Sequence, residues 1–351
     1  MDDDDQPLIP GLPDDISLRC IARAPISSNP TLSHVSRSWR SVLRSPFPFT
    51  LRSQLSIADP ILTVSIRRPT TGQSLWYHLL PRLHHHRPLP IPPPPHPTVG
   101  SSSVPLGPRL FLLGGSLGVP CAHVQIYDSR LRRWSLGPPM SSPREFSAAA
   151  AVRGVIYAFG GCRPSAASWS ESLDPAATLP RWSRVPSPHG VRQKWMHGTA
   201  VLGGKLLAVA DRGGIVFDPA AASWGPVPPA LVLGWRGRAA VVGEVLYTYD
   251  YLGKVRGYDW EKGEWRQVEG LERELPSFLC GATLANFGGL LCLVWEGRGK
   301  ERGKETEISY AGVDLSRTEG GGIRGRVVWL ECGVLKVPRG SSVSHCVTLE
   351  L

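Results

Sequence analysis

Apolar positions follow two different patterns along this chain. Between residues 8 and 50 they recur at spacings of three and four, which is typical of short helices. From about residue 55 onward they alternate or cluster in short runs bounded by glycine or proline, which is typical of short strands. The pattern therefore predicts a small helical module at 8–50 and a larger, mainly β domain at 55–351, with the boundary near Leu51.

Two helices are predicted in the N-terminal module. The first is expected to begin at Asp14 or Asp15, since an early carboxylate suits a helix N-terminus, and to end at Pro25. The second should start after Pro30 with Thr31 as its N-cap, and carries one apolar face made by Leu32, Val35, Trp39, Val42 and Leu43. Two helices this short cannot bury both faces on each other, so the module is expected to dock on a partner, or else on the β domain as a capping hairpin.

A tryptophan recurs along the β domain, at intervals of 41 to 64 residues, in the series Trp76, Trp134, Trp182, Trp224, Trp265 and Trp329. Each repeat reads as four short strands, with a glycine turn between the first two and an aspartate turn before the tryptophan. Intervals near 40 to 50 residues are typical of β-propeller blades, in which the tryptophan packs between neighbouring sheets. We expect about six four-stranded blades.

The ends of the β domain complement each other. Residues 60–76 resemble the later strands of a blade that lacks its first strand, whereas 341–349 resemble a first strand without a successor. Joining them would close the ring and remove exposed sheet edges.

Two segments interrupt the repeat and are expected to be loop insertions. The first, at about 81–108, is rich in proline and histidine, and its His84-His85-His86 run would suggest a metal site only if the backbone were ordered. Its four consecutive prolines could space elements or bind a proline-motif reader. The second insertion, at about 297–325, is rich in glycine and charge.

The net charge of +10 comes from basic residues scattered along the chain, and residues 1–7 form an acidic tail that we expect to be disordered. Diffuse charge does not favour nucleic-acid binding. The seven cysteines are widely spaced and contain no C-x-x-C pair, so we expect reduced thiols and no metal site. The absence of a long apolar stretch and of a signal peptide predicts a protein of the cytoplasm, the nucleus or both, with no membrane contact.

The N-terminal module resembles a known family. Leu12-Pro13-Asp14-Asp15, followed by Val35-Ser36-Arg37-Ser38-Trp39-Arg40, is similar in order and spacing to the F-box motif. F-boxes bind the Skp-type adaptor of cullin-RING ubiquitin ligases. The resemblance implies that this adaptor, and through it a cullin, is bound by Leu12, Pro13, Ile16, Leu18, Val35 and Trp39.

The β domain resembles the kelch repeat, with its best match from Pro143-Arg144 to Gly160-Gly161. Kelch propellers bind ligands through loops that enter the first strand of each blade. By position, the resemblance implies that a protein substrate, of unknown identity, is contacted by Arg144, Phe146, Arg163, Trp195, His197, Arg212, Trp235, Arg236, Arg238, Ser277 and Phe278. Trp195 and Trp235 fit packing between blades equally well, and Arg236 and Arg238 would suit an acidic or phosphorylated surface.

Together the two resemblances imply a plant F-box/kelch protein that selects substrates for an SCF-type ubiquitin ligase. It would position a substrate without catalytic residues, metal or cofactor of its own. Two alternatives stay open: a propeller scaffold or ligand sensor that does not engage the ligase, and a propeller enzyme such as an oxidase or glycosidase. No hydrolase, metalloprotease or P-loop motif supports the enzyme alternative.

Overall fold

A computed structural model describes residues 7–351 except 56, 82–86, 98, 117, 189–195, 211–212, 236–237, 251 and 299–304. The N-terminal module contains four α-helices and a 3-10 turn at Ile26–Ser28. The helices are α1 (Asp14–Arg23), α2 (Asn29–Leu32), α3 (Arg37–Arg44) and α4 (Phe47–Gln54), and one further helix, α5 (Pro229–Gly234), lies in the β domain.

Helix α1 has the predicted limits. It begins after Pro13, carries Asp14 and Asp15 in its first turn, and ends before the extended backbone of Ala24 and Pro25. Proline disfavours the helical conformation of the residue that precedes it, which stops the helix at this point.

The prediction of a single second helix is wrong. The segment is divided into α2 and α3, and the N-cap of the longer helix is Ser36, whose side chain accepts a hydrogen bond from the Trp39 amide at 3.1 Å, rather than Thr31. Helix α4 then crosses the predicted boundary at Leu51 and ends at Gln54.

The β domain is a propeller of antiparallel sheets. The first sheet has the order β24-β1-β2-β3, formed by β24 (Ser342–Glu350), β1 (Pro60–Arg67), β2 (Ser74–Leu79) and β3 (Leu89–Ile91). The second contains β4 (Ser102–Leu106), β5 (Arg109–Leu113), β6 (Val124–Asp128) and β7 (Arg133–Leu136). The third contains β8 (Ala148–Val152), β9 (Val155–Phe159), β10 (Ser170–Leu173) and β11 (Trp182–Val185).

The fourth sheet contains β12 (Met196–Leu202), β13 (Lys205–Ala210), β14 (Gly214–Asp218) and β15 (Ser223–Pro226). The remaining strands form one eight-stranded sheet. They are β16 (Ala239–Val242), β17 (Val245–Tyr249), β18 (Val255–Asp259), β19 (Glu264–Glu269), β20 (Thr283–Phe287), β21 (Leu290–Arg298), β22 (Glu305–Arg317) and β23 (Ile323–Pro338). Its two halves are joined by a short parallel pairing of Val268-Glu269 with Ile323-Arg324.

The ring closes as predicted. Strand β24 pairs with β1 from Pro60↔Glu350 to Arg67↔Ser342, so the C-terminal segment becomes the innermost strand of the first sheet. In the part of the chain that the structure describes, the innermost strands β4, β8, β12, β16, β20 and β24 contact one another in that order, and β24 contacts β4.

Four of the repeated tryptophans occupy the same place in successive sheets. Trp134, Trp182, Trp224 and Trp265 lie in β7, β11, β15 and β19, and each indole donates to a carbonyl just beyond the outermost strand of the preceding sheet. The acceptors are Pro92, Pro138, Pro186 and Ala230, at 2.7, 2.9, 2.7 and 3.0 Å. The predicted packing between sheets is confirmed for these four.

Trp76 and Trp329 depart from that pattern. Trp76 lies in β2, the third strand of its sheet, where it is buried and stacks on His345. Trp329 lies in β23, and its indole nitrogen has no hydrogen-bond partner among the described residues.

The predicted aspartate turns are confirmed. Asp128, Asp218 and Asp259 each accept backbone N–H groups two and three residues further on, at 3.0 to 3.4 Å. These bonds hold the turn that leads from the third strand of the sheet into the strand with the tryptophan.

Both predicted loop insertions contain strands. The proline-rich segment supplies β3, which is tolerated because Pro90 lies on an edge strand, and also β4, while its histidine run lies outside the described residues. The glycine- and charge-rich segment includes all of β22 and the start of β23, and these two strands pair along nearly their full length.

Arg52 joins the N-terminal module to the propeller. Its buried guanidinium donates to the carbonyls of Ala22 and Ala24 in the module, and to those of Ile57 and Leu351 in the propeller region. It also pairs with Asp59 at 2.7 Å. The two parts therefore have a fixed relative orientation. None of the helices in the described residues is both long and apolar enough to cross a membrane.

Candidate functional site

The N-terminal module presents an apolar surface to solvent. Leu12, Ile16 and Val35 are 38%, 40% and 61% exposed, and Pro13 is exposed beside them. The interior of the module is filled instead by Ile21, Ala22 and Leu43. Large apolar side chains left outside a folded core mark an interaction surface.

The other two predicted adaptor contacts are half-buried. Leu18 lies on α1, and Trp39 lies on α3 with its indole nitrogen donating to the Leu8 carbonyl at 2.6 Å. This bond holds the segment before α1 against α3. Phe47, at the start of α4, is also exposed, at 47%, and the sequence does not indicate it because no third helix is predicted there.

The propeller axis contains a cavity of about 810 Å³. It is lined by the innermost strands, whose side chains are mainly alanine, serine and threonine. At one mouth, where the chain enters these strands, the cavity is lined by Arg67, Gly100, Phe146, Met196 and Arg238.

Two predicted substrate contacts thus lie at this mouth. Phe146 is 48% exposed, has a left-handed backbone (φ 50°), and packs its ring against Gly100, where an added Cβ would approach the ring to 2.9 Å. Arg238 precedes β16, and its Nη1 donates to the Gly281 carbonyl at 3.2 Å. Trp195, Arg212 and Arg236 lie outside the described residues, as does the side chain of His197 in β12.

Arg144 is a correction to the sequence-based prediction, because its side chain is fully buried and offers no surface to a substrate. Its Nε and Nη2 donate to one carboxylate oxygen of Glu171 at 2.9 and 2.8 Å. It also donates to the carbonyls of Gly160, Ser168 and Trp169 at 2.6 to 2.8 Å. Nothing near Arg144 in the sequence indicates this pairing, since Glu171 lies two strands away.

The prediction that Trp235 contacts a substrate is corrected for the same reason, the burial of its side chain. It is 1% exposed and packs in a cluster with Leu231 of α5 and Tyr258 of β18, which agrees with the packing alternative. Arg163, Ser277 and Phe278 are exposed but do not line the cavity.

The electrostatics of the mouth are dominated by positive charge. Arg67 ends β1 and is exposed, whereas burial lowers the pKa of Arg238, and the nearby charge of Arg67 acts in the same direction. Glu296 lies close by, is held by the Val343 amide at 2.9 Å, and has its pKa raised by burial. Among the described residues that line the cavity there is no Asp or Glu. Within the described ranges, no group of His, Cys, Asp and Glu is arranged to hold a metal ion.

Family comparisons match both parts of the chain. The F-box domain profile matches residues 9–50, and the profile described as "FKB95, Kelch-repeats domain" matches residues 69–334. The second match alone covers most of the sequence.

The chain belongs to the F-box/kelch-repeat family.

Curated relatives from Arabidopsis thaliana agree with this assignment. F-box/kelch-repeat protein At4g39550 is 29% identical over 97% of this chain and 93% of its own length. F-box/kelch-repeat protein At4g39590 is 30% identical over 97% and 90%. The resemblance to plant F-box/kelch proteins is therefore confirmed.

Among solved structures, that of YjhT is similar in fold to this F-box/kelch-repeat chain. The TM-score is 0.52 at 12% identity, over 75% of this chain and 94% of the other. At that identity the likeness supports the propeller fold alone.

Proposed function

We propose that this F-box/kelch-repeat protein is the substrate-recognition subunit of an SCF-type ubiquitin ligase. Its F-box would bind a Skp-type adaptor, and through it a cullin, while the propeller holds a protein substrate for ubiquitination. Catalysis would then belong to other subunits, in the cytoplasm, the nucleus or both. The observation that carries the proposal is the solvent-exposed apolar surface of Leu12, Ile16 and Val35 within a segment that matches the F-box domain.

We further infer that the propeller has six blades. The two halves of the eight-stranded sheet each place one strand, β16 or β20, in the inner ring, and share only a two-residue parallel pairing. Substrate recognition is assigned to the mouth where Phe146 and Arg238 lie, because loops that converge on one end of a rigid ring can present several side chains to one ligand.

The adaptor interface is tested by Val35→Glu. A charge placed in a buried apolar contact should weaken binding of a Skp-type adaptor by at least roughly tenfold, measured by co-purification and by titration. Leu179→Glu is the matched control, since Leu179 is 84% exposed on the propeller. If Val35→Glu binds the adaptor as tightly as the wild type, this interface is refuted. If the wild type fails to bind any Skp-type adaptor, the scaffold alternative replaces the ligase role.

A further inference from the structure

The central cavity combines positive charge with hydroxyl groups and small side chains. Serine or threonine side chains line it from β4, β12, β20 and β24, and alanines line it from β8 and β16. Its two lining arginines, Arg67 and Arg238, lie at the mouth. The lining therefore has room for a guest molecule and polar groups with which to bind it.

The two arginines lack ion-pair partners among the described residues. No described carboxylate lies within salt-bridge distance of either guanidinium, and Arg238 donates a hydrogen bond to the carbonyl of Gly281. Glu296 is near enough to both arginines to offset part of their mutual repulsion, and an anion bound between them would offset more. Arginine presents several N–H donors in a plane that matches the oxygens of a phosphate group.

The shape of the cavity favours a small molecule over a protein segment. Its volume of about 810 Å³ falls within the range of pockets that enclose ligands of low molecular weight. Serine and threonine hydroxyls both donate and accept hydrogen bonds. Those of Ser102 and Thr348 already donate to backbone carbonyls within the ring, so they would meet the hydroxyls of a polyol as acceptors. Phe146, which is 48% exposed, adds apolar surface at the mouth, against which the carbon face of a sugar can pack.

We propose that the channel of this propeller binds a small phosphorylated polyol, such as a sugar phosphate, with the phosphate held between Arg67 and Arg238. The hydroxyl-bearing strands would hold the remainder of the ligand inside the ring. This site goes beyond the proposed ligase role, since it needs neither the F-box nor a protein substrate. A ligand at this position would contribute to the surface that a substrate meets.

The test is isothermal titration of the full chain, without adaptor, against glucose 6-phosphate, fructose 1,6-bisphosphate and glycerol 3-phosphate at constant ionic strength. Glucose, which lacks the phosphate, and inorganic phosphate, which lacks the polyol, are the control probes. We expect at least one sugar or glycerol phosphate to bind at least tenfold more tightly than either control probe. Arg67→Gln and Arg238→Gln should each weaken that binding by roughly tenfold.

Arg184→Gln is the matched control, because it removes the same charge from the outermost strand β11, away from the channel. It should bind as the wild type does. Thermal melting establishes that each variant is folded, and Arg67 keeps the test decisive if Arg238→Gln unfolds, since Arg67 is exposed at the end of its strand.

Three results would overturn the proposal. The first is no saturable binding of any of the three phosphates up to about 10 mM. The second is equal affinity in the wild type and Arg67→Gln. The third is inorganic phosphate binding as tightly as the phosphorylated polyols, which would leave an anion site without polyol recognition. None of these results depends on whether the chain binds a Skp-type adaptor, so the two proposals fail separately.

Discussion

Replacing Arg144 by methionine should destabilise the propeller strongly while leaving its surface unchanged. Methionine keeps much of the side-chain volume but removes the guanidinium. That change leaves the Glu171 carboxylate buried without its cation, and three backbone carbonyls lose a donor. The main chain of Arg144 also joins this sheet to the preceding one. Its N–H donates to the Cys121 carbonyl, and its carbonyl accepts from the Gly115 amide, both in the loop between β5 and β6.

The expected cost follows from the burial of both partners, which are 0% exposed. Breaking a fully buried ion pair by removing one partner costs about 3–5 kcal/mol. A domain is stable by only about 5–15 kcal/mol, so Arg144→Met should remove a large fraction of the free energy of unfolding. In a domain of this size the melting temperature should fall by about 10 °C.

Thermal and urea denaturation, followed by circular dichroism, measure this effect. Arg163→Met is the control, because Arg163 is exposed and lies near Arg144 in sequence. Adding Glu171→Met to Arg144→Met should recover part of the loss, since the orphaned carboxylate is then removed. A loss below about 1 kcal/mol for Arg144→Met, or an equal loss for Arg163→Met, would refute the argument that the pair is a structural centre of the ring.

Three further predictions concern ring closure, pH and the junction. Deleting residues 342–350 removes β24 and should abolish the cooperative melt of the ring, and an unchanged melting curve would contradict closure. Burial lowers the pKa of His78 to about 4, below its ordinary 6.5, so the folded protein should lose about 3 kcal/mol of stability as the pH falls from 6.5 to 4. His78→Gln should reduce that dependence without abolishing it, because burial also lowers the pKa of His345 to about 4, and an unaltered slope in denaturation at both pH values would count against it. Arg52→Met should speed proteolysis between α4 and β1, whereas Arg44→Met, on the exposed side of α3, should not.

The sequence predicted features that depend on local chemistry or on a regular period. The aspartate turns, the limits of α1 and the shared position of Trp134, Trp182, Trp224 and Trp265 all follow from such patterns. The pairing of β24 with β1 was also predictable, because each end of the domain lacks what the other supplies.

What the sequence missed depends on contacts between distant residues. Thr31 and Ser36 are both suitable N-caps, and only the packing of α2 and α3 decides between them. Arg144 was placed at a ligand surface because of its position before β8, yet Glu171 draws it into the interior. The glycine- and charge-rich composition of the segment that forms β22 and the start of β23 is typical of a loop, yet long paired strands also accommodate glycine and charge. Arg67 could not be predicted as a cavity residue, since nothing local to β1 shows that its last residue lines the same cavity as Arg238.

Strand β24 also makes the order of synthesis matter for this protein. During translation β1 leaves the ribosome long before β24, so its inner edge has no partner while every other sheet is being made. The hydrogen bond from Arg52 to Leu351 also cannot form until Leu351, the residue after β24, has been made. An interrupted polypeptide would therefore carry an F-box that is loosely held and a sheet edge open to aggregation, both of which chaperones and proteases recognise. The ring can therefore close only after β24 has been made.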